Sequence, residues 1–482
     1  MTASVSSLYP PPSLTPVVRA EIHRIFELQQ ATALRLRSST PDERIDRLQR
    51  LRNALLGRWE AIVQAAAEDF RRPAAEAELT ELLPVLQEIA DTCRHLKRWL
   101  KPRKVRATAM MIGTQAWTRY EPRGRCLIIA PWNYPVTLAF GPLVPAIASG
   151  NTVMIKTSEI APKFSAVMVQ IIREAFPEDE VAIFEGDASV ATSLLELPFD
   201  HMFFTGAPAI GKVVMAAAAR HLSSVTLELG GKSPTIIDAS ADLEMAVKTI
   251  AWGKFINSGQ TCIAPDHVYV HESVRERVVE LFRHWIGRWY GEGEAARSGE
   301  FTRVINERHS RRIAGLLDDA VSRGATVLSG GTVNVGEHFV APTLLGSIPR
   351  EAKIMEEEIF GPVLPIIGFT DIGEVIDRIN QAPKPLALYI WSRTEAHIDR
   401  VARQTSAGAT CINHVGVHFL HHNLPFGGVN NSGIGSYHGE WGIRAFSHER
   451  AFLRTRVMLA RFFFPPYTSS FRRLVRWMAE RG

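Results

Sequence analysis

The sequence predicts an α/β fold with parallel sheets, on three observations. Short apolar runs at 127–130, 153–156, 181–184, 202–204 and 225–229 alternate with segments of helical periodicity. A second alternating stretch, 230–414, carries runs at 235–237, 267–271, 363–369, 386–391 and 409–413. The polar residues that stand out in the first stretch follow its strands: Asn133, Lys156, Glu159, the turn from Gly206 to Gly211, and Glu228. Ligands bind at that edge of a parallel sheet.

In chain order, the first part reads as helices at 19–37, 41–70 and 76–100, with Pro41 where a first helical turn tolerates proline. A basic run at 101–106 and an extended arm at 117–120 lead into the first strand. The stretch 126–151 has no charge and is long enough for a membrane span, but Pro131, Pro135, Pro142 and Pro145 favour a buried strand followed by a buried helix. After His414 comes a loop rich in His, Gly and Asn. The tail, 461–482, is basic and amphipathic, with Phe471, Leu474, Val475 and Met478 on one face. We read it as a helix docked on the protein or a second copy, ahead of a peripheral membrane contact.

Composition narrows the function classes. A chain of 482 residues, 46% hydrophobic and 22% charged, is expected to fold as two or three globular domains. A net charge of +5, with Lys and Arg scattered except near the C-terminus, argues against nucleic acid as a partner. It accommodates an anionic cofactor. Cys93, Cys126, Cys262 and Cys411 lie far apart without a CxxC pair, the usage of a reducing compartment. Residues 1–16 lack the basic start and apolar core of a secretion signal, so a cytoplasmic location is expected.

Cys262 ends Asn257-Ser258-Gly259-Gln260-Thr261-Cys262, a small polar turn between the apolar segment 246–255 and the run 267–271. A structural cysteine usually replaces a small hydrophobe, whereas a nucleophile needs room for substrate and N–H groups aimed at it. Alone, the residue reads as an ordinary buried thiol. Alone, Glu228 reads as a turn cap and Asn133 as a turn residue.

Together the blocks say more. Pro131-Trp132-Asn133-Tyr134-Pro135, Phe204-Thr205-Gly206, Leu227-Glu228-Leu229-Gly230-Gly231-Lys232-Ser233-Pro234, 257–262, Glu358-Ile359-Phe360-Gly361-Pro362 and Leu424-Pro425-Phe426-Gly427-Gly428 occur in one order. The chain resembles the aldehyde dehydrogenase superfamily in this, from about 44 to 466. Segments 95–103 and 433–439 are most similar to its class 3 branch and bacterial coniferyl aldehyde dehydrogenases.

The resemblance implies a Rossmann-like cofactor domain from 1–105 and 123–229, a second α/β catalytic domain at 230–414, and a small β bridging or oligomerisation arm from 106–122 and 415–460. It implies that the Cys262 thiolate attacks an aldehyde and that the Asn133 amide and Cys262 N–H hold the oxyanion. Hydride then passes to a nicotinamide, and Glu228 serves as base for thioester hydrolysis. The cofactor implied is NAD or NADP, although GxGxxG is absent. Lys156 and Glu159 would hold its ribose, and Gly206, Ala207 and Gly211 its pyrophosphate. Glu358 and Phe360 would hold the nicotinamide ribose and ring, and Trp132 would be a further cofactor-binding residue. Ala207 stands where relatives more often carry Ser, and Asn430 where they often carry Gly, a turn Asn tolerates.

A homodimer and a small aldehyde substrate, aromatic such as coniferaldehyde or long-chain aliphatic, complete the expectation. Glu228 argues against an acyl-CoA-forming relative. The alternatives are a cofactor-independent cysteine hydrolase and a non-catalytic binding protein on the same fold. His414, His418, His421 and His422 have no neighbouring carboxylate or cysteine motif; they are read as shaping the substrate mouth, with no metal expected.

Overall fold

The computed structural model describes residues 15–108, 111–291, 298–458 and 464–481. The reading of the extreme N-terminus and the first residues of the tail, 461–463, fall outside them.

Two sheets dominate. In the first, the strands run in the spatial order Gly433–Ile434, Ser224–Leu229, His201–Gly206, Arg125–Ile129, Thr152–Lys156, Val181–Phe184. All neighbours are parallel except the two-residue edge strand, which pairs antiparallel with Glu228 and Leu227. In the second the order is Thr326–Ser329, Thr343–Gly346, Val363–Phe369, His267–His271, Pro234–Ile237, Ala387–Trp391, Ala409–Ile412, parallel but for the first pair. A third sheet joins Arg103–Val105, Thr114–Pro122 and Ser447–Thr455, the last two in register over nine residue pairs.

Alternation explains why these runs form a covered sheet. Ile128, Val153, Ile155 and Phe203 enter one core cluster, whereas Leu127, Met154, Met202 and Phe204 enter the cluster on the opposite face. Both faces are covered, so the strands read as continuous apolar runs.

The uncharged stretch resolves as the strand Arg125–Ile129 and the helix Pro135–Ser149, buried at every position. Pro135 opens the helix where no N–H is required, and Pro142 and Pro145 lie inside it. Among the described residues no helix is long and apolar enough to cross a membrane.

The expected helix 41–70 is two, Pro41–Gly57 and Trp59–Phe70, broken at Arg58. A capping box between Thr40 and Glu43 starts the first. The expected helix 76–100 opens with a short turn, widens into a π turn at Glu78–Leu82 and continues as Leu83–Trp99. The strands Thr326–Ser329 and Thr343–Gly346 have no counterpart in the sequence reading. Each is four residues long, and the former is a partly exposed edge with little apolar signal.

Candidate active site

Helix Leu243–Phe255 delivers the chain to the thiol loop. There Asn257, Ser258 and Gly259 take φ of 51°, 54° and 72°, a left-handed run that only a tight surround sustains. Hydrogen bonds supply it. The Asn257 N–H donates to Glu76 at 2.9 Å, and its side-chain amide donates to the Asn133 carbonyl at 2.9 Å. Gln260 Nε2 donates to the Asn257 carbonyl at 2.9 Å and the Arg303 carbonyl at 3.1 Å, and its Oε1 accepts from the Ile305 N–H at 2.9 Å. Asn133 Nδ2 donates one proton to the Gln260 carbonyl at 3.0 Å, which orients the amide and leaves its second N–H.

Behind the loop lies a group that sequence reasoning missed. Arg72, its side chain fully buried, donates to the Asn133 carbonyl at 2.8 Å, to Asn257 Oδ1 at 2.7 Å and to Glu81 at 2.7 Å. Glu81, set inward on the π turn, also accepts from the Val136 and Thr137 N–H groups that open the helix Pro135–Ser149. One buried cation therefore ties the candidate oxyanion donor, the thiol loop and that helix together. In sequence, Arg72 and Glu81 are unremarkable charges in a charged helical region; Pro73 directly after Arg72 is the only local signal.

Two clefts meet at Cys262. One is lined by Trp132, Asn133, Glu228, His309, Arg312 and Phe360, and also reaches Gly206, Ala207 and Glu358. The other is almost wholly apolar, with Leu79, Tyr134, Leu138, Trp252, Ile256 and Phe419 in its walls. Cys262 borders both. Of the residues singled out from the sequence, Lys156, Glu159 and Gly211 do not line the polar cleft. Lys156 ends the next strand, 3% exposed, its ammonium donating to the Thr157 carbonyl and 3.5 Å from Glu159. Gly211 packs a helical turn onto Leu229, where a Cβ would come within 2.7 Å of a methyl group.

The electrostatics are those of a dry site. Burial raises the Glu228 carboxyl well above its ordinary range, and neither carboxyl oxygen has a hydrogen-bond partner. Burial, then the charges of Glu358 and Glu228, push the Cys262 thiol up to about 12. Burial, then Asp266, pushes Glu358 up to about 8. Glu358 fits because residue 230 is glycine; a Cβ there would collide with its carboxylate. Its loop is clamped: Arg312 donates to the Glu358 and Ile359 carbonyls, Asp266 accepts from the Ile359 N–H, and Lys232 bridges Asp266 to the Ile354 and Glu357 carbonyls. The same loop holds Phe360 at φ 43°, its ring 5.4 Å from that of Trp132.

The polar cleft fits a dinucleotide. Thr205, where the strand ends, keeps a buried hydroxyl without a partner, and Gly206 and Ala207 present bare backbone beside it. Trp132 and Phe360 wall the end nearest the thiol, and Glu358 supplies a carboxyl of the type that receives ribose hydroxyls.

The four clustered histidines diverge. His414 Nδ1 turns onto the backbone at Val415, His421 is exposed, and His418 is buried against Phe426 with both ring nitrogens unpartnered. His422 Nδ1 lies 2.8 Å from Glu88. Asn430 sits at φ 56°, the turn conformation expected of it.

The model of the aldehyde dehydrogenase family matches residues 15–452. A putative aldehyde dehydrogenase, AldX, of Bacillus subtilis is 44% identical over 434 residues, 90% of this chain and 97% of that protein. A probable coniferyl aldehyde dehydrogenase of Pseudomonas aeruginosa is 38% identical over 458 residues, covering 94% and 95%. The solved structure of Staphylococcus aureus AldH in a substrate-bound state superposes with a TM-score of 0.90 at 36% identity, over 95% of this chain and 99% of that one.

Proposed function

The chain belongs to the aldehyde dehydrogenase family, and from that premise we propose that it oxidises an apolar aldehyde, aromatic such as coniferaldehyde or long-chain aliphatic, to the carboxylate, with NAD or NADP as acceptor. The observation that carries the substrate class is the apolar cleft that meets the polar one at Cys262. A chain or ring in the first would bring its carbonyl carbon to the sulfur while a cofactor occupied the second.

In this reading Cys262 is the nucleophile, and its proton must leave before attack. That proton passes to solvent; Glu228, whose carboxyl burial raises well above its ordinary range, is the base kept for the later hydrolysis. The Asn133 amide, fixed by the Gln260 carbonyl and the Arg72 network, presents its second N–H to the oxyanion with the Cys262 N–H. The bound nicotinamide would accept the hydride released when that oxyanion collapses. Glu228 then draws a proton from the water that opens the thioester. Trp132 and Phe360 hold the ring end, Glu358 the adjoining ribose, Gly206, Ala207 and the helix carrying Gly211 the pyrophosphate turn, and Lys156 with Glu159 the adenosine ribose. A lysine there tolerates a 2′-phosphate as well as a hydroxyl, so both coenzymes belong in the assay.

The test is NAD(P)H formation by the purified protein with benzaldehyde, coniferaldehyde, hexanal and dodecanal beside glyceraldehyde, with each coenzyme. The cleft predicts much higher kcat/KM for the apolar aldehydes. Preference for glyceraldehyde would overturn the substrate class.

We take 1–105 with 123–229 as the cofactor-binding unit, 230–414 as the catalytic unit and 106–122 with 415–460 as an assembly arm. Among the described residues the arm's outer strand, Ser447–Thr455, is hydrogen-bonded on one side only and mostly exposed, an edge that a second copy would cover in a homodimer.

A further inference from the structure

Between the helix Leu83–Trp99 and the returning segment 418–439 lies a cluster of ligand-type side chains that the reaction does not use: Glu88, His422 and His438. One donor atom from each lies within 4.8 Å of the other two. The Glu88 side chain is 4% exposed; one oxygen accepts from the Gly439 N–H at 2.8 Å, and the other meets His422 Nδ1 at 2.8 Å.

His438 is the informative member. It is 6% exposed, and its Nδ1 has no hydrogen-bond partner, although buried imidazoles ordinarily satisfy both nitrogens. A buried ring nitrogen left bare beside a carboxylate and a second imidazole is one that a metal ion would satisfy. The ring cannot swing away to find another partner. Its backbone sits at φ 80°, and Tyr437, Phe419 and Phe426 pack around it at ring separations of 4.3, 4.7 and 5.5 Å.

We propose that Glu88, His422 and His438 form a structural site for one divalent transition metal ion, zinc by donor chemistry, that fastens the loop carrying Phe419 to the helix Leu83–Trp99. Two imidazoles and a carboxylate with one position left for water are a zinc-type set. On loading, the proton between His422 and Glu88 goes to solvent and the cation takes its place. The site lies outside both clefts, but Phe419 and Leu420 wall the apolar cleft and Tyr437 the polar one. A metal there would stiffen both walls without touching the thiol.

The test uses the full-length Cys262→Ala protein, so that zinc on the catalytic thiol is not counted. It is stripped with EDTA and titrated with Zn2+ by calorimetry in a weak competing chelator. The same protein carrying His422→Gln, and separately His438→Asn, is titrated beside it. The expected result is one zinc per chain in the parent, an affinity at least roughly tenfold lower in each variant, and a melting temperature that zinc raises only in the parent. His422 lies at the margin of the cluster, 18% exposed, so its variant carries the test even if His438→Asn does not fold. Absence of stoichiometric binding by the parent, or an unchanged affinity in His422→Gln, would overturn the proposal.

Discussion

Cys262 and Glu228 rest in a buried environment that raises both groups above their ordinary ranges, which sets the expected pH profile. The thiol's proton must leave before attack, and burial with two neighbouring carboxylates moves that loss to alkaline pH. The account predicts that kcat/KM rises continuously from about pH 7 to about pH 10, measured with NAD and dodecanal. A plateau already reached at neutral pH would mean that cofactor or substrate lowers the thiol's pKa on binding. Arg72 allows a separate prediction. Arg72→Met strands the buried Glu81 carboxylate and the Asn133 carbonyl, so urea melts should show a loss of about 3–5 kcal/mol. In whatever protein folds, kcat should fall with little change in KM, because the oxyanion donor loses its anchor. Sequence blocks carried Cys262, Asn133, Glu228 and Glu358 into view because each stands in a motif. Arg72, Glu81 and His309 were not legible: the contacts that tie them to the site span 50 or more residues, as with Arg72 and Asn257 at 185 positions, and the pairing of Arg72 with Glu81 nine positions on follows no local pattern.

At the scale of elements, short continuous apolar runs and proline placement made ten strands and the buried helix Pro135–Ser149 readable. What could not be read was where a helix changes its winding. The π turn at Glu78–Leu82 carries Glu81 into its pairing with Arg72, a contact that no helix propensity marks. Two element-level outcomes follow from the loops beside the site. Asn430 holds a left-handed turn at φ 56°, so Asn430→Ala should cost about 1–2 kcal/mol by chemical denaturation and Asn430→Gly much less. The His422 pair with Glu88 raises the imidazole's pKa, chiefly through their hydrogen bond. A raised folded value stabilises below the unfolded pKa and is lost as pH rises through the folded one. In EDTA, His422→Ala should therefore lower the melting temperature more at about pH 6 than at about pH 9; an equal or opposite difference would remove the ion pair from the account.

The whole molecule brings a polar and an apolar cleft together at one sulfur, with walls drawn from both sheets and from the segment that returns to pair Gly433 with Glu228. The alternation of strands and helices announced the sheets. The crossing-back of 433–434 into the first sheet did not show in the sequence, because a two-residue edge strand has no periodicity to read. The tail helix Ser469–Arg481 leaves Leu474 and Val475 at 47% and 43% exposed, so the face visible in the sequence is present in the fold. If the arm strand Ser447–Thr455 is an assembly edge, sedimentation velocity should give a dimer, and Phe452→Pro, which breaks that edge, should shift it toward monomer. The central claim concerns the thiol, and the most direct measurement is the mass of the Cys262 peptide from Glu228→Gln after incubation with dodecanal and NAD. Without the base, hydrolysis should slow by roughly 10²–10⁴-fold, so the account predicts a dodecanoyl adduct on Cys262 with one NADH formed per adduct. Undiminished turnover with no adduct, or an adduct on another residue, would contradict it.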